Sequence, residues 1–348
     1  MKKENLRNEK AILFGIGRKY RKYKEELQEM YNIVALCDND ENKQKTVIDG
    51  LPVFHPDHVH WEDYSVVVIV PGIYMGEGIF KQLLSYGVAI EKIDQFKEGW
   101  SVSLCEYYID KDSGIKIYVD SLCDLQVFQE VFLYKEYEVG VNCSNLVCID
   151  IGMNVGCASL YFASLPNVKK VYGFELLEST YKKAMYNFSR NEALAPKIIA
   201  ENIGLSNRNG TVEVNCSAIV GNASLFFKEG DLKETAYIKD AAQVVSAILA
   251  ECADDSKILL KVDTEGSEYD IFESLSKAGL LKKIDIIIGE WHNIYIENKR
   301  FDEINEIQKP LVNRLHSYFT DNGFIFKITN THTGLGYFYA FNSKRLCK

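Results

Sequence analysis

The run Leu146-Val147-Cys148-Ile149-Asp150-Ile151-Gly152-Met153-Asn154-Val155-Gly156 decides how the chain is read. A second run, Ile258-Leu259-Leu260-Lys261-Val262-Asp263-Thr264-Glu265-Gly266-Ser267-Glu268, repeats the same grammar further along. Each opens on apolar residues of the kind that fill a strand buried on both faces, and each closes in an acidic, glycine-containing turn. A helix-like pattern follows both. In an open α/β sheet, ligands bind outside the carboxyl ends of the strands. The acids and glycines therefore stand where a cofactor is expected.

Working outward, βα alternation continues on both sides of these runs. Strands are predicted at 146–151, 170–174, 197–203, 257–262, 284–290, 324–329 and 334–341, with helices between them. The last two are joined by Asn330-Thr331-His332-Thr333 and read as an antiparallel pair closing the sheet. Upstream lies a second, shorter series. Ala11 to Phe14 runs into Gly15-Ile16-Gly17, then come a helix from about Lys19 to Met30, a strand Ile33 to Cys37, the segment Gly50 to Phe54, a strand over 65–70 and a helix from about Gly76 to Tyr86. Between the two series, 106–109 and 115–119 read as a hairpin and 124–137 as a helix. The expected fold class is α/β throughout. A smaller doubly wound domain spans residues 1–99. A Rossmann-like sheet of about seven strands, with an antiparallel last strand, spans 100–348, its first part (about 100–144) being a hairpin and helix extension.

Composition removes several classes of function. The chain has 348 residues, 47% hydrophobic and 26% charged, which suits a globular protein of two domains. The net charge of −9 and the lack of a strong basic run argue against nucleic acid as a partner. Arg18-Lys19-Tyr20-Arg21-Lys22 reads as a solvated helix face. The longest apolar runs are too short to span a bilayer, and no apolar segment of signal-peptide type follows Met1-Lys2-Lys3. The nine cysteines, odd in number and without a CxxC, fit reduced buried thiols and a cytoplasmic location. Nothing in the sequence fixes an oligomeric state.

Gly152 and Gly156 bracket a turn in which a ligand can approach the backbone without meeting a Cβ. The helix that follows offers unpaired N–H groups. The pattern is G-x-N-x-G rather than G-x-G-x-x-G, and no basic residue accompanies it. That favours an amino-acid-bearing cofactor over a pyrophosphate. Glu175 ends the next strand, 19 residues beyond Gly156, near the spacing of an acid that accepts hydrogen bonds from ribose hydroxyls. The alternative for Glu175 is a surface glutamate at a strand end.

Taken in order, D-I-G-x-N-x-G, Phe174-Glu175, Asn187 and Asn191, Gly204-Leu205-Ser206, K-V-D-x-E-G-x-E and Gly289-Glu290-Trp291-His292 resemble the FkbM-type methyltransferase family over roughly residues 105–342. Leu176 and Met153 depart from the family's usual proline and alanine. The resemblance implies a class I methyltransferase fold and S-adenosylmethionine as cofactor. It places Asp150, Gly152, Asn154 and Gly156 at the methionine part, Glu175 at the ribose, and the turn Ile203 to Asn207, with Leu205 and Ser206, beside the adenine. Asp263 would face the transferred methyl and the acceptor.

An alcohol acceptor must lose its proton near the transition state. Asp263, Glu265, Glu268, Glu290 and His292 lie on the relevant edge, and His292 is the favoured base because its ordinary pKa lies near working pH. Asp263, Glu265 and His292 are the expected catalytic set. The alternative for His292 is a structural histidine bonded to a carboxylate, and for Glu268 an acid stabilised by a helix first turn. Asp263 with Glu265, Glu290 or His292 could also take Mg²⁺, but no compact ligand signature is present and no resident metal is expected. His55, His58 and His60 lack the further ligands that zinc requires.

The N-terminal series, with Gly15-Ile16-Gly17, Cys37-Asp38-Asn39-Asp40 and Gly50-Leu51-Pro52-Val53, resembles the small Rossmann-like domain at the front of some nucleotide-sugar-modifying enzymes. That resemblance implies nucleotide or sugar binding. The resulting expectation is an O-methyltransferase acting on a sugar hydroxyl of a nucleotide sugar or surface glycan. The alternatives are an NAD-type oxidoreductase using the N-terminal series, against which its incomplete glycine pattern argues, and a non-catalytic binding module, against which the full acid set argues.

Overall fold

The computed structural model describes residues 9–44, 46–97, 100–140, 143–216, 223–224, 232–292, 301–329 and 335–346. The chain divides into two compact units, Met1–Tyr108 with Val119–Leu125, and Ile109–Tyr118 with Gln126–Lys348.

In the first unit, seven strands form one sheet in the order Val47–Ile48, Leu51–Phe54, Asn32–Cys37, Lys10–Phe14, Val66–Ile69, Ile93–Lys97, Trp100–Ser103. The apolar runs at Ala11–Phe14 and Val66–Val70 supply its centre, all buried. The helix Arg18–Met30 adds Tyr20 and Leu27 to that core. The strand Ile93–Lys97 was not expected. Its polar Asp94 and Gln95 interrupt the apolar pattern, yet both are buried; Asp94 accepts a hydrogen bond from Tyr31 Oη at 2.9 Å and Gln95 donates to the Pro71 carbonyl at 2.9 Å. Trp100–Ser103 pairs antiparallel with it, so the first sheet runs past residue 99, where the sequence put the boundary. An antiparallel return needs only a tight connection, and in sequence a glycine marks a turn and a linker alike.

The strands of the second unit's main sheet are β1 (Leu146–Ile151), β2 (Val168–Phe174), β3 (Ile198–Glu201), β4 (Lys257–Val262), β5 (Ile286–His292), β6 (Phe324–Ile328) and β7 (Leu335–Asn342). They lie in the order β3-β2-β1-β4-β5-β7-β6. The strands β1 to β5 pair in parallel, and β7 runs antiparallel to both β5 and β6, as expected. The expected joint at 330–333 lies outside the described residues. All six residues of β1 are buried, which is why its sequence is apolar apart from Asp150. The helices are α1 (Cys157–Ser164), α2 (Glu178–Ser189), α3 (Ala241–Glu251), α4 (Glu268–Lys277) and α5 (Phe301–Asp321). Phe272 of α4 meets Phe319 of α5 and Phe338 of β7 with ring centroids 5.5 Å away in each case, an edge-on cluster that fixes one face of the sheet.

Two features depart from the sequence reading. Gly204–Ser206, expected as a turn, is a strand paired in parallel with the end of Leu232–Asp240, part of a separate four-stranded sheet with Gly210–Cys216 and Ala223–Ser224. The helix expected over 124–137 is α-helical at Leu122–Phe128 and continues only as a π-helical turn, Gln129–Leu133. Two short strands, Tyr107–Ile109 and Lys116–Tyr118, stand where the hairpin was expected. Among the described residues, no helix is long and apolar enough to cross a membrane.

Candidate functional site

Sheet register brings the two opening motifs together. Asp150 of β1 lies directly opposite Lys261 of β4. Both are buried, and the Lys261 ammonium sits 3.1 Å from Asp150 Oδ1, 3.6 Å from Asp263 Oδ2 and 5.1 Å from the centre of the Tyr137 ring. The same ammonium donates to the Gly152 carbonyl at 2.7 Å. Ser159 of α1 donates to the other Asp150 oxygen at 2.6 Å. Asp150 is therefore turned inward and shapes the β1–α1 turn, rather than offering its carboxylate to solvent.

The glycines of that turn are sterically required. Gly152 has φ +80°, and a Cβ there would stand 1.7 Å from the Asp263 carbonyl oxygen. Gly156 has φ +85°, and its Cβ would run into the Phe188 ring at 2.5 Å. Asn154, with φ +51°, belongs to a residue type that tolerates the left-handed region. Its backbone N–H donates to Glu175 Oε2 at 3.0 Å, and Leu177 N–H donates to Oε1 at 3.0 Å. Each Glu175 oxygen thus accepts one backbone proton and keeps a lone pair. Burial pushes the Glu175 carboxyl up to about 7, against the opposing pull of those two N–H donors. Asn202 donates to the Glu175 carbonyl at 2.8 Å, which ties the end of β3 to the same corner.

Beyond β4, the chain turns through Glu265, a non-glycine residue with φ +54°. Glu268 closes this turn. Its fully buried carboxylate accepts from Thr264 N–H at 3.0 Å, Thr264 Oγ1 at 3.2 Å and Gly266 N–H at 3.2 Å, and the same oxygen lies 3.0 Å from His292 Nδ1. The other His292 nitrogen, Nε2, faces Glu290 Oε2 at 3.6 Å, Glu265 Oε2 at 3.7 Å and Asp263 Oδ1 at 3.9 Å. Tyr137 Oη donates to the remaining Asp263 oxygen at 2.9 Å.

The charge states follow. Burial opposes the charged imidazolium, but Glu268, Glu265 and Asp263 outweigh it and hold His292 well above its ordinary value. Burial raises Asp263, yet Lys261 and His292 overcome that and keep it below the usual carboxylate range. Burial, then the neighbouring Asp263 charge, pushes Glu290 well up; burial also raises Glu265. These surroundings favour the protonated form of His292 and the ionised form of Asp263.

The structure thus gathers Asp263, Glu265 and His292 at one place, as expected, and puts Asp150, Gly152, Asn154, Gly156 and Glu175 around one turn. Leu205 and Ser206 are less accessible than expected: Leu205 packs into the core, and Ser206 Oγ donates to Asp270 at 3.2 Å. Asn187 donates to the Val155 carbonyl at 2.8 Å and accepts from Tyr118 N–H at 2.8 Å, so it anchors the turn rather than a ligand. Lys261, Tyr137 and Asn202 were missed as site residues. Only Lys261 left a signal, a charge inside an otherwise buried apolar strand.

In the first unit, a cleft of about 320 Å³ is lined by Ile16, Tyr20, Arg21, Lys24, Lys43, Ile48 and Asp49. Lys24 is paired with Asp49 at 2.8 Å and Lys43 with Asp38 at 3.0 Å. Asp38 also accepts from Ile16 N–H at 2.7 Å, so the acid that a dinucleotide's ribose would need is already occupied. His55 caps a short 3₁₀ turn through Asp57 N–H.

Residues 150–326 match the family described as Methyltransferase FkbM domain, and residues 7–94 match C2185-like, N-terminal. Among curated proteins, Methyltransferase sdnD of Sordaria araneosa is 25% identical over 211 residues, covering 51% of this chain and 81% of that protein. Among solved structures, Methyltransferase FkbM from Methylobacillus flagellatus is 11% identical, with TM-score 0.40 over 96% of this chain and 90% of that one. TrmK of M. capricolum, in complex with S-adenosyl-homocysteine, is 13% identical with TM-score 0.32, covering 58% of this chain and 64% of that one.

Proposed function

The chain belongs to the FkbM methyltransferase family, and from that premise we propose that it transfers the methyl group of S-adenosylmethionine to a hydroxyl of a sugar-bearing acceptor, a nucleotide sugar or surface glycan. The observation that carries the donor assignment is Glu175, a buried carboxylate at the end of β2 whose two oxygens each keep a lone pair facing a glycine turn. Two vicinal ribose hydroxyls need that acceptor pair. The residues present therefore fit such a donor.

When bound, S-adenosylmethionine supplies an electrophilic methyl on a positively charged sulfonium. The protein's own work is alignment and proton handling. Glu175 orients the ribose, and the Asp150–Lys261–Gly152 contacts hold the turn in shape. Asp263, kept ionised by Lys261 and His292, accepts the hydroxyl proton at Oδ1. His292 acts beside it as an imidazolium that stabilises the anionic carboxylate, with Glu265 on its other flank. The base duty moves from His292, where the sequence put it, to Asp263, because a histidine surrounded by carboxylates already holds its proton.

The test is incubation of the full chain with the methyl donor and a panel of nucleotide sugars, read by mass spectrometry. The reading expects a mass gain of one methylene that appears only with the donor. Donor binding by calorimetry without any product across the panel overturns the sugar assignment; no donor binding overturns the donor.

A further inference from the structure

We propose that Asp263 Oδ1, Glu290 Oε2 and His292 Nε2 form a binding site for one divalent transition-metal cation of the Mn²⁺ type. These three atoms lie within 4.8 Å of one another. Donors around an ion bound at ~2.1 Å stand about 3–4 Å apart, so a small inward movement closes the set. The mixture of two carboxylates and one imidazole suits Mn²⁺ better than Mg²⁺, which keeps to oxygen.

Two further observations point to a ligand. The first is the arrangement behind the three atoms. Metal-bound histidines donate their other ring N–H to a carboxylate, and bound carboxylates are themselves held by hydrogen bonds. Here His292 Nδ1 is held by the fully buried Glu268 at 3.0 Å, and the second Asp263 oxygen by Tyr137 at 2.9 Å. Each partner fixes one atom of its group and leaves the other aimed at the common point. The second is Glu290. It is only 8% exposed and receives no hydrogen bond from any described residue, while its Oε2 points to His292 Nε2 at 3.6 Å. Beyond the His292 ring, no described cation reaches this carboxyl, and a bound metal ion would supply one. Lys261 cannot serve Glu290 in this way, because it is committed to Asp150 and the Gly152 carbonyl.

Ion binding at this point stands apart from methyl transfer. An ion here would displace the Nε2 proton of His292 and occupy Asp263 Oδ1, so that the ion rather than Asp263 would hold and acidify the acceptor hydroxyl; that role rests on the methyl-transfer reading above. The test therefore uses the full chain stripped by a chelator, with neither donor nor acceptor present, and titrates it with Mn²⁺ by calorimetry. The expected result is one saturable equivalent, weakened ~10- to 100-fold in Glu268→Gln and at least as far in Glu290→Gln. No saturable binding, or affinity in both variants unchanged from that of the unaltered protein, overturns the site. Should either variant fail to fold by circular dichroism, electron spin-echo spectroscopy of the unaltered protein with Mn²⁺ decides. Nitrogen coupling from a bound imidazole, lost in His292→Gln, supports the site; its absence refutes it.

Discussion

Replacing Lys261 with methionine tests the central argument about this site. Methionine matches the length of the lysine stem and suits an apolar strand, so little packing is lost. What remains is Asp150, fully buried, with Ser159 as its one side-chain donor among the described residues. Removing one partner of a buried pair at 3.1 Å strands the other charge, a loss of ~3–5 kcal/mol. For a unit of this size, where 1 kcal/mol moves the midpoint by about 2–4 °C, the fall in Tm is roughly 6–20 °C. Calorimetry of the intact chain without donor measures it. Adding Asp150→Asn to Lys261→Met removes the stranded charge and should recover most of the loss, a coupling that a double-mutant cycle reads directly. If Lys261→Met costs less than ~1 kcal/mol, or Asp150→Asn restores nothing, the pair does not hold the two turns together and the reasoning fails.

Three other outcomes are expected. Glu175→Gln should weaken donor binding by ~1.5–3 kcal/mol for each hydrogen bond lost, measured by calorimetry; since the folded carboxyl is raised to about 7 from its ordinary value of 4.5, the wild type should lose stability as pH rises through that window, and the variant should lose less. Gly152→Ala should destabilise the fold by ~2 kcal/mol or more in urea unfolding, because its methyl would collide with the Asp263 carbonyl at an unfavourable φ; an unchanged midpoint would show that the turn can relax. His292→Ala should lower turnover ~10²-fold with donor affinity retained and move the acidic limb of the pH profile upward, since Asp263 loses one of the two cations that keep it ionised; near-normal turnover with an unmoved profile would make His292 purely structural.

Much of this was legible in the sequence because the central strands of the second sheet, β1, β4 and β5, are buried on both faces and read as largely apolar runs. The acids and glycines at their ends then fall at one edge by topology alone. Ile93–Lys97 escaped because burial of Asp94 and Gln95 depends on Tyr31 and the Pro71 carbonyl, partners far away in sequence. Gly204–Ser206 escaped because its strand character comes from Ile238–Asp240, not from its own three residues. At the site, residue types could be named but not their protonation. Whether His292 is a base or an imidazolium is set by Glu268, Glu265 and Asp263 converging on it, and that convergence exists only after β4 and β5 have paired.

The charge in β4 has a meaning for the chain before it is folded. Ile258-Leu259-Leu260 followed by Val262 is the kind of short, apolar, β-prone segment that stacks with copies of itself when exposed. Lys261 interrupts it. While the chain is still being made or refolded, an unpaired ammonium in mid-segment repels identical strands and discourages intermolecular stacking. The neutralising partner, Asp150, is in register only when β1 lies alongside β4 in the correct alignment; a slip by one residue would leave the lysine buried against apolar neighbours. The residue that organises the finished site thus also acts as a proofreader of assembly, keeping the nascent segment soluble and penalising every alignment of the sheet except the functional one.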